Sequence, residues 1–226
     1  MRYCSTLVTG GFLLGSFTSA IAQDAPAYAA DVPESVTTPD IVETYSLGTL
    51  EFFDGMPNPE TVEKLYDNLD LVRGTTAFLD GIPVAAIQAF VNGFEALGMA
   101  PNEVGMTETL MDARSIWLTA NTTTIYVTSI VDSSDGPVVI EVPPGILALL
   151  DDAEFTYVAD FGPLGPDEGK GGKYLLLPPH YDGEVPEGYF VLRSKTYYHW
   201  FLGRMSPDEN GDTTAAVKTV KDNMNI

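Results

Sequence analysis

Two histidines are present, so every histidine-based mechanism would depend on one of them. His180 lies in a Pro-Pro-His-Tyr-Asp-Gly run, whose composition predicts an exposed turn. His199 lies among aromatic residues, which predicts partial burial, and its imidazole could act as a general base near neutral pH. A core histidine with one hydrogen bond is the commoner situation, and we favour it for His199. A zinc site of three histidines is excluded by number, and we predict no metal site and no cofactor.

The most distinctive polar run lies between residues 111 and 126. Asp112 and Arg114 are close enough to share a face of an extended chain, and Asn121 falls where one predicted strand ends and the next begins. In a functional interpretation Arg114, Asn121 and Tyr126 contact a ligand. In a structural interpretation the amide of Asn121 holds a loop through backbone hydrogen bonds, and we favour that interpretation.

A second set of candidate groups lies near the predicted end of a strand at residue 193. Tyrosine can act as an acid or base, and arginine can bind a carboxylate through two parallel hydrogen bonds. These properties make Arg193, Tyr197 and His199 further candidate ligand contacts.

A glycine-lysine loop, residues 170–173, is the third candidate. Lys170, Gly171, Gly172 and Lys173 could bind a small anion through backbone N–H groups and a lysine. The glycines precede a predicted strand, whereas a phosphate-binding loop follows a strand and opens a helix. The neighbouring acids Asp167 and Glu168 could pair with the lysines. We therefore favour a structural loop.

The elements that must position these residues fall into two groups. Helical spacing predicts one helix from Pro59, with Asn58 as N-cap, and a second helix after Pro83 that ends at Gly98. Their apolar stripes predict core or helix-packing surface. Beyond residue 110, β-branched runs separated by Gly/Pro-rich turns predict strands, and a helix is expected from Thr213 onward. Helices followed by strands indicate an α+β domain or a β-sandwich carrying helices. The runs predicted to be extended are 116–119, 124–131, 138–142, 155–159, 174–177 and 189–193, with 132–136 as a hairpin turn between the second and third.

The net charge of the chain and its N-terminal sequence limit the partners and the cellular location that we expect for the protein. The chain has 226 residues, 32 acidic and 11 basic, and a formal net charge of -21. This charge repels nucleic acid and anionic lipid, so we expect neither as a partner. Arg2, an apolar stretch and an Ala-Ile-Ala site ending at Ala22 predict a signal peptide over residues 1–22, and hence a periplasmic or secreted protein. We expect a flexible leader over 23–45, a folded domain over 46–226, and no membrane span after cleavage.

Several short segments occur in consistent order from Tyr45 onward. They are Phe52-Phe-Asp-Gly-Met-Pro57, Leu118-Thr-Ala-Asn-Thr122 with Tyr126, Gly136-Pro-Val-Val-Ile-Glu-Val-Pro-Pro-Gly145, Gly171-Gly-Lys-Tyr-Leu175 and Gly188-Tyr-Phe190. Together they resemble the bacterial family known as domain of unknown function 1254. The resemblance implies an α+β fold in which N-terminal helices precede a β-rich, sandwich or jelly-roll-like domain. It also implies export, association into homo-oligomers, and a second domain, domain of unknown function 1214, that would be missing here or supplied separately. It carries no established catalytic residues.

The chain departs from the family at one polar position. Family members often have Pro-Asn-x-Asp where this chain has Ala120-Asn-Thr-Thr123, so any reaction that needed that acid would be lost here. Our leading hypothesis is an exported binding or oligomer-assembly domain of a two-domain envelope protein. The alternative is a hydrolase or lyase acting on a glycan or small organic substrate through the arginine, tyrosine and histidine candidates.

Overall fold

The computed structural model describes residues 33, 36, 39–115, 117 and 119–226. The predicted signal peptide, most of the predicted leader, and residues 116 and 118 of the first predicted extended run lie outside the described residues. The chain forms two compact units, one ending at Asn68 and the other covering Leu69–Ile226. The boundary falls inside a helix.

The first unit contains a three-stranded antiparallel sheet that was not predicted from the sequence. Its strands are β1 (Ile41–Thr44), β2 (Gly48–Phe53) and β3 (Met56–Pro57). A tight turn at Asp54 and Gly55, both with positive φ, joins β2 to β3. Strand β1 occupies residues for which we expected a flexible leader.

Helix α1 (Pro59–Ala96) is one continuous helix of 38 residues, where two helices were predicted. Its predicted beginning is confirmed, because the Thr61 backbone N–H donates to Asn58 Oδ1 at 2.8 Å. Its predicted end is also confirmed, because Gly98 takes a left-handed φ of +83° just beyond Ala96. Pro83 lies within the helix instead of separating two helices, so that prediction was wrong. Proline removes one backbone donor but does not always end a helix.

The first apolar stripe of α1 is exposed, so of the two predicted roles, core or helix-packing surface, it does not have the first. Leu65, Leu69 and Val72 are 37%, 37% and 51% exposed, whereas Ile87 and Val91 of the second stripe are buried. By length and mean hydropathy, 1.3 over its most apolar window, α1 could also cross a membrane. Only 11% of that window is buried, although Ile87 and Val91 pack against a sheet of the second unit.

The second unit contains two sheets and a C-terminal helix, α2 (Thr214–Asn223), which confirms the predicted helix. A five-stranded sheet has the order β4-β5-β11-β7-β8, and a three-stranded sheet has the order β10-β9-β6. Strand β11 therefore lies at the centre of the larger sheet although it is the last strand in the chain. The strands are β4 (Gly105–Met106), β5 (Ile125–Asp132), β6 (Val138–Val142), β7 (Leu147–Asp152), β8 (Tyr157–Phe161), β9 (Gly172–Leu177), β10 (Phe190–Arg193) and β11 (Tyr198–Met205).

Strands β5 and β6 do not form the predicted hairpin. Both edges of β5 are already paired, with β4 and with β11, so β6 has no free edge to join. Strand β6 pairs with β9 in the other sheet. The turn at 133–136 does form, with Gly136 N–H donating to the Ser133 carbonyl at 3.2 Å, but it carries the chain from one sheet to the other.

The two sheets of this unit share one apolar core. Val127 of β5, Phe201 of β11 and Tyr174 of β9 are among its fully buried members, and Val220 of α2 packs into the same cluster. Two sheets packed face to face with one apolar layer between them form a sandwich. The helix and the strand-rich unit together confirm the predicted α+β class.

Candidate binding cleft

Strand β11 presents a different chemistry on each of its faces. His199, Phe201 and Gly203 are buried on the face that forms the sandwich core. Trp200, Leu202 and Arg204 alternate with them and lie on the opposite face, towards the C-terminal part of α1. A single strand therefore contributes both to the core and to the surface beneath the helix.

A cleft of about 890 Å³ lies between that face of the sheet and residues 89–97 of α1 and its C-terminal extension. Its volume falls in the range of pockets that bind small molecules. Most of its lining side chains are apolar or aromatic, and two are charged. The lining comprises Ala89, Phe90, Gly93, Phe94, Leu97, Trp117, Thr119, Ala120, Tyr126, Leu147, Ala148, Leu149, Asp160, Leu164, Trp200, Leu202 and Arg204.

Tyr126 is fixed in the cleft wall by Asn121. Its hydroxyl oxygen accepts hydrogen bonds from the Asn121 backbone N–H at 2.9 Å and from Asn121 Nδ2 at 3.0 Å. Asn121 Oδ1 in turn accepts from the backbone N–H groups of Thr123 and Thr124, both at 2.9 Å. These backbone donors fix the orientation of the amide, so its NH2 group must face the tyrosine. Asn121 thus has the scaffolding role that we favoured, and it also positions a hydroxyl group that lines the cleft.

The two charged side chains of the cleft belong to different strands. Arg204 of β11 stands opposite Tyr126 of β5 and Leu147 of β7 in the sheet register. Asp160 of β8 stands opposite Leu149 of β7, and Leu149 stands opposite Leu202 of β11. Strand β8 is therefore two inter-strand spacings of about 4.8 Å away from β11. The carboxylate of Asp160 and the guanidinium of Arg204 accordingly lie towards different sides of the cleft.

Aromatic rings supply much of the cleft wall. Phe90 stacks on Trp200 with ring centroids 4.5 Å apart, and Trp117 lies 5.3 Å from Tyr126. The indole N–H of Trp200 donates to Thr128 Oγ1 at 2.9 Å, so this ring is held by the sheet. Thr119, at the rim, has a φ of +61°, a strained conformation for a β-branched residue and one that is enriched at ligand sites.

Three other predicted contacts lie away from this cleft. Arg114 is exposed and paired with Asp112, and the guanidinium lowers the pKa of that carboxyl below its usual value. Arg193 is an exposed residue of β10, in the smaller sheet, and Tyr197 is 46% exposed just before β11. None of the three lines the cleft. The groups named for a hydrolase or lyase therefore do not converge on it.

His199 is completely buried, deeper than the partial burial predicted from its aromatic neighbours. Its Nδ1 lies 3.4 Å from the Val131 carbonyl oxygen, and its Nε2 has no partner within the described part of the chain. Burial lowers the pKa of the imidazole below its usual value. Its position on the core face of β11 separates it from the cleft.

The contacts of the glycine-lysine loop favour the structural interpretation. Lys170 pairs with Glu168, and Lys173 pairs with Glu141. The Gly171 N–H donates to Asp167 Oδ2 at 3.0 Å, so the backbone donor is also occupied. Gly171 has a φ of +77°, and a Cβ there would lie 2.7 Å from the Val142 carbonyl oxygen. This glycine is required by geometry, independently of any anion.

Arg204, Asp160 and both tryptophans line the cleft but were not predicted as site residues. Nothing near Arg204 in the sequence indicates a ligand contact, because its neighbour Tyr126 is adjacent only through the pairing of β5 with β11. Within the residues that the structure describes, no three His, Cys, Asp or Glu side chains gather as a metal site would require.

Comparisons with known proteins place the strand-rich part of the chain in a family. The family model DUF1254, described as a protein of unknown function, matches residues 101–226, more than half of the chain. The chain belongs to DUF1254. This confirms the predicted family, although the matched segment begins well after Tyr45. It contains β4–β11 and α2, and so includes Tyr126 and Arg204, whereas the helix side of the cleft precedes it.

One solved structure is similar to this DUF1254 chain over part of its length. It is the crystal structure of the VPA0106 protein from Vibrio parahaemolyticus, with 20% sequence identity and a TM-score of 0.49. The similarity covers 64% of this chain and 34% of that one, so this chain corresponds to about a third of the length of that protein. No curated protein matches the chain.

Proposed function

We propose that this DUF1254 protein is an exported binding domain that holds a small, mainly apolar molecule in the cleft beneath α1. The observation that carries this proposal is the cleft itself, of about 890 Å³, with aromatic walls and a small number of polar groups. Pockets of this size and composition are typical of small-molecule sites. Burial of a ligand's apolar surface there would contribute about 25 cal/mol per Å² to binding.

Export is supported by the N-terminal sequence, which combines Arg2, an apolar stretch and the Ala20-Ile-Ala22 site. Cleavage after Ala22 would leave Gln23 as the first residue of the mature protein. N-terminal sequencing of protein purified from a bacterial periplasm tests this directly, and an intact Met1 in that fraction would contradict it.

Tryptophan fluorescence can test binding, because the chain has two tryptophans and both line the cleft. Titration with decanoate and with 1-decanol, two probes with the same apolar chain, should change the intensity or wavelength of their emission. Isothermal titration calorimetry would give the affinity independently.

A cleft-filling substitution provides the matched control. Ala89 and Ala85 are both exposed alanines of α1, but of the two only Ala89 lines the cleft. Ala89→Phe should abolish binding of both probes, and Ala85→Phe should leave it unchanged. Equal binding by the two variants, or no binding by the unaltered protein, would refute the cleft as the binding site.

We also propose that the protein self-associates through the exposed apolar face of α1, since this surface lacks a partner within the described residues. Its residues recur at the a and d positions of a heptad, the spacing of helices that pack on each other. Antiparallel pairing centred near Thr76 would bring Arg73 of one copy close to Asp80 of the other. This charge complementarity favours a second copy as the partner. The heptad positions are Val62, Leu65, Leu69, Val72, Thr76 and Leu79.

A further inference from the structure

We infer that the ligand carries a single anionic group of the carboxylate type, bound between the guanidinium of Arg204 and the hydroxyl of Tyr126, with its apolar body along Leu202 and Trp200. This inference depends on the proposed function, because it assigns the chemistry of the ligand that the cleft would hold.

Arg204 is available to bind an anion. It is an exposed residue of a central strand, and among the described residues its guanidinium has no salt bridge or hydrogen bond. The other arginine that was proposed as a contact in the polar run, Arg114, is already paired with Asp112. A planar guanidinium presents parallel N–H donors that match the two oxygens of a carboxylate.

Tyr126 supplies a hydroxyl proton for which no described residue is an acceptor. Both N–H donors of Asn121 point at its oxygen, so that oxygen acts as an acceptor within the protein. Its own hydrogen donates to no group in the described part of the chain. A hydroxyl that accepts hydrogen bonds becomes a stronger donor, because neighbouring bonds in a chain polarise each other.

The sheet register brings these two donors together. Arg204 and Tyr126 are directly opposite each other on β11 and β5. Side chains at such positions project from the same face, with Cβ atoms about 4.5–5.5 Å apart. We therefore place the carboxylate between these two groups, which start from adjacent positions on one face of the sheet.

The rest of the cleft limits the ligand to one anionic group. On this face of β11, Arg204 is followed by Leu202 and then by Trp200 at every second position. The cleft surface therefore changes from cationic at Arg204 to apolar at Trp200 over about 13 Å. Asp160 lies towards the other side of the cleft and would repel a second negative group. The net charge of -21 acts in the same direction.

Arg204→Gln tests the inference with the decanoate and 1-decanol pair. Loss of a charge-assisted hydrogen bond should weaken decanoate binding by roughly tenfold to a hundredfold, and should weaken 1-decanol binding much less. Tyr126→Phe should also weaken decanoate binding selectively. Thermal unfolding of each variant would verify that the fold is intact, and we expect this for Arg204→Gln because that side chain has no described partner.

Arg193→Gln is the matched control, because it removes the same charge from an exposed strand position in the other sheet. It should bind decanoate as the unaltered protein does. Equal decanoate affinity for Arg204→Gln and the unaltered protein would overturn the anionic inference while leaving the cleft as a binding site. A protein that binds neither probe would overturn the inference and the proposed function together.

Discussion

At the scale of single residues, His199 has the most unusual environment. Its Nε2 is the one buried side-chain nitrogen or oxygen without a hydrogen-bond partner among the described residues. Desolvation by burial lowers its pKa, and the nearest charged influences, Asp152 and Asp132, act in the opposite direction. An imidazole in this position is neutral in the folded state, since protonation would place an unpaired charge within the sandwich core.

His199 should make the folded state sensitive to mild acid. With the folded pKa depressed, the stability contributed by neutral His199 is present above the unfolded pKa of about 6.5 and is lost as the pH falls towards the folded pKa. Below about pH 6.5 only the unfolded state binds the proton, which removes at most about 1.4 kcal/mol of unfolding free energy per pH unit. Urea unfolding from pH 7.5 down to 5.5 measures this slope.

His199→Gln should reduce that slope, because glutamine does not titrate. The comparison concerns the slope, since a buried glutamine also changes the stability itself. His180→Gln is the matched control: it removes the other histidine, which is exposed and lies in a turn. A slope that is unchanged in His199→Gln, or equally reduced in both variants, would show that His199 does not carry the pH dependence.

Residue chemistry was predictable where it depends on local sequence. An asparagine followed by threonines indicates a side chain that binds its own backbone, and Asn121 does so. The partnership of Tyr126 with Arg204 was not predictable, because it depends on which strands pair and in which register. Strand pairing and register are determined by burial across the whole sheet, so the sequence next to Tyr126 or Arg204 does not indicate them.

At the scale of elements, the C-terminal part of α1 forms the cleft only if it stays docked on the sheet. Ile87 and Val91 pack with Ile130 of β5 and Trp200 of β11 in a small apolar cluster, apart from the sandwich core. The helix face that carries Leu65 and Leu69 is exposed. Docking of this helix therefore depends on few side chains.

Two isoleucines of α1 provide a matched test of docking. Ile87→Ala should destabilise the protein by about 2–5 kcal/mol, because it removes a buried side chain and leaves a cavity. Ile82→Ala, at a position that is 50% exposed, should change the unfolding free energy by less than about 0.5 kcal/mol. Chemical denaturation measures both. Similar values for the two variants would contradict the docked position of the helix.

Elements with a clear pattern were predicted well, and those without one were missed. Strand β6 was recognised from its β-branched residues, and the C-terminal helix was expected from Thr213 onward. Strand β11 was not recognised as a strand. It is flanked by strands on both edges and contacts apolar groups on both faces, so its sequence does not alternate between apolar and polar residues.

At the scale of the whole molecule, the exposed heptad of α1 should make self-association depend on apolar contact. Leu69 and Leu79 are 37% and 56% exposed and occupy a and d positions of that heptad. Replacing both by Glu should convert a dimer into a monomer in sedimentation velocity experiments. The unaltered protein should dissociate on dilution, since association depends on concentration.

Glu substitutions at exposed positions outside the heptad serve as the control for added negative charge. Leu164→Glu with Val191→Glu adds the same charge at exposed positions of the strand-rich unit and should leave the dimer intact. A monomeric unaltered protein at all concentrations would refute self-association. Flotation of such a monomer with neutral liposomes would indicate that the apolar face binds lipid instead.

The central place of β11 also has a consequence for biosynthesis. Its neighbours β5 and β7 are both made earlier, yet neither can complete its hydrogen bonding until residues 198–205 have been synthesised. A nascent chain that contains all the strands of the larger sheet except β11 still has two unpaired edges, one on β5 and one on β7. The larger sheet can therefore close only after almost the whole described domain has been synthesised, so its completion comes late in the synthesis of the chain.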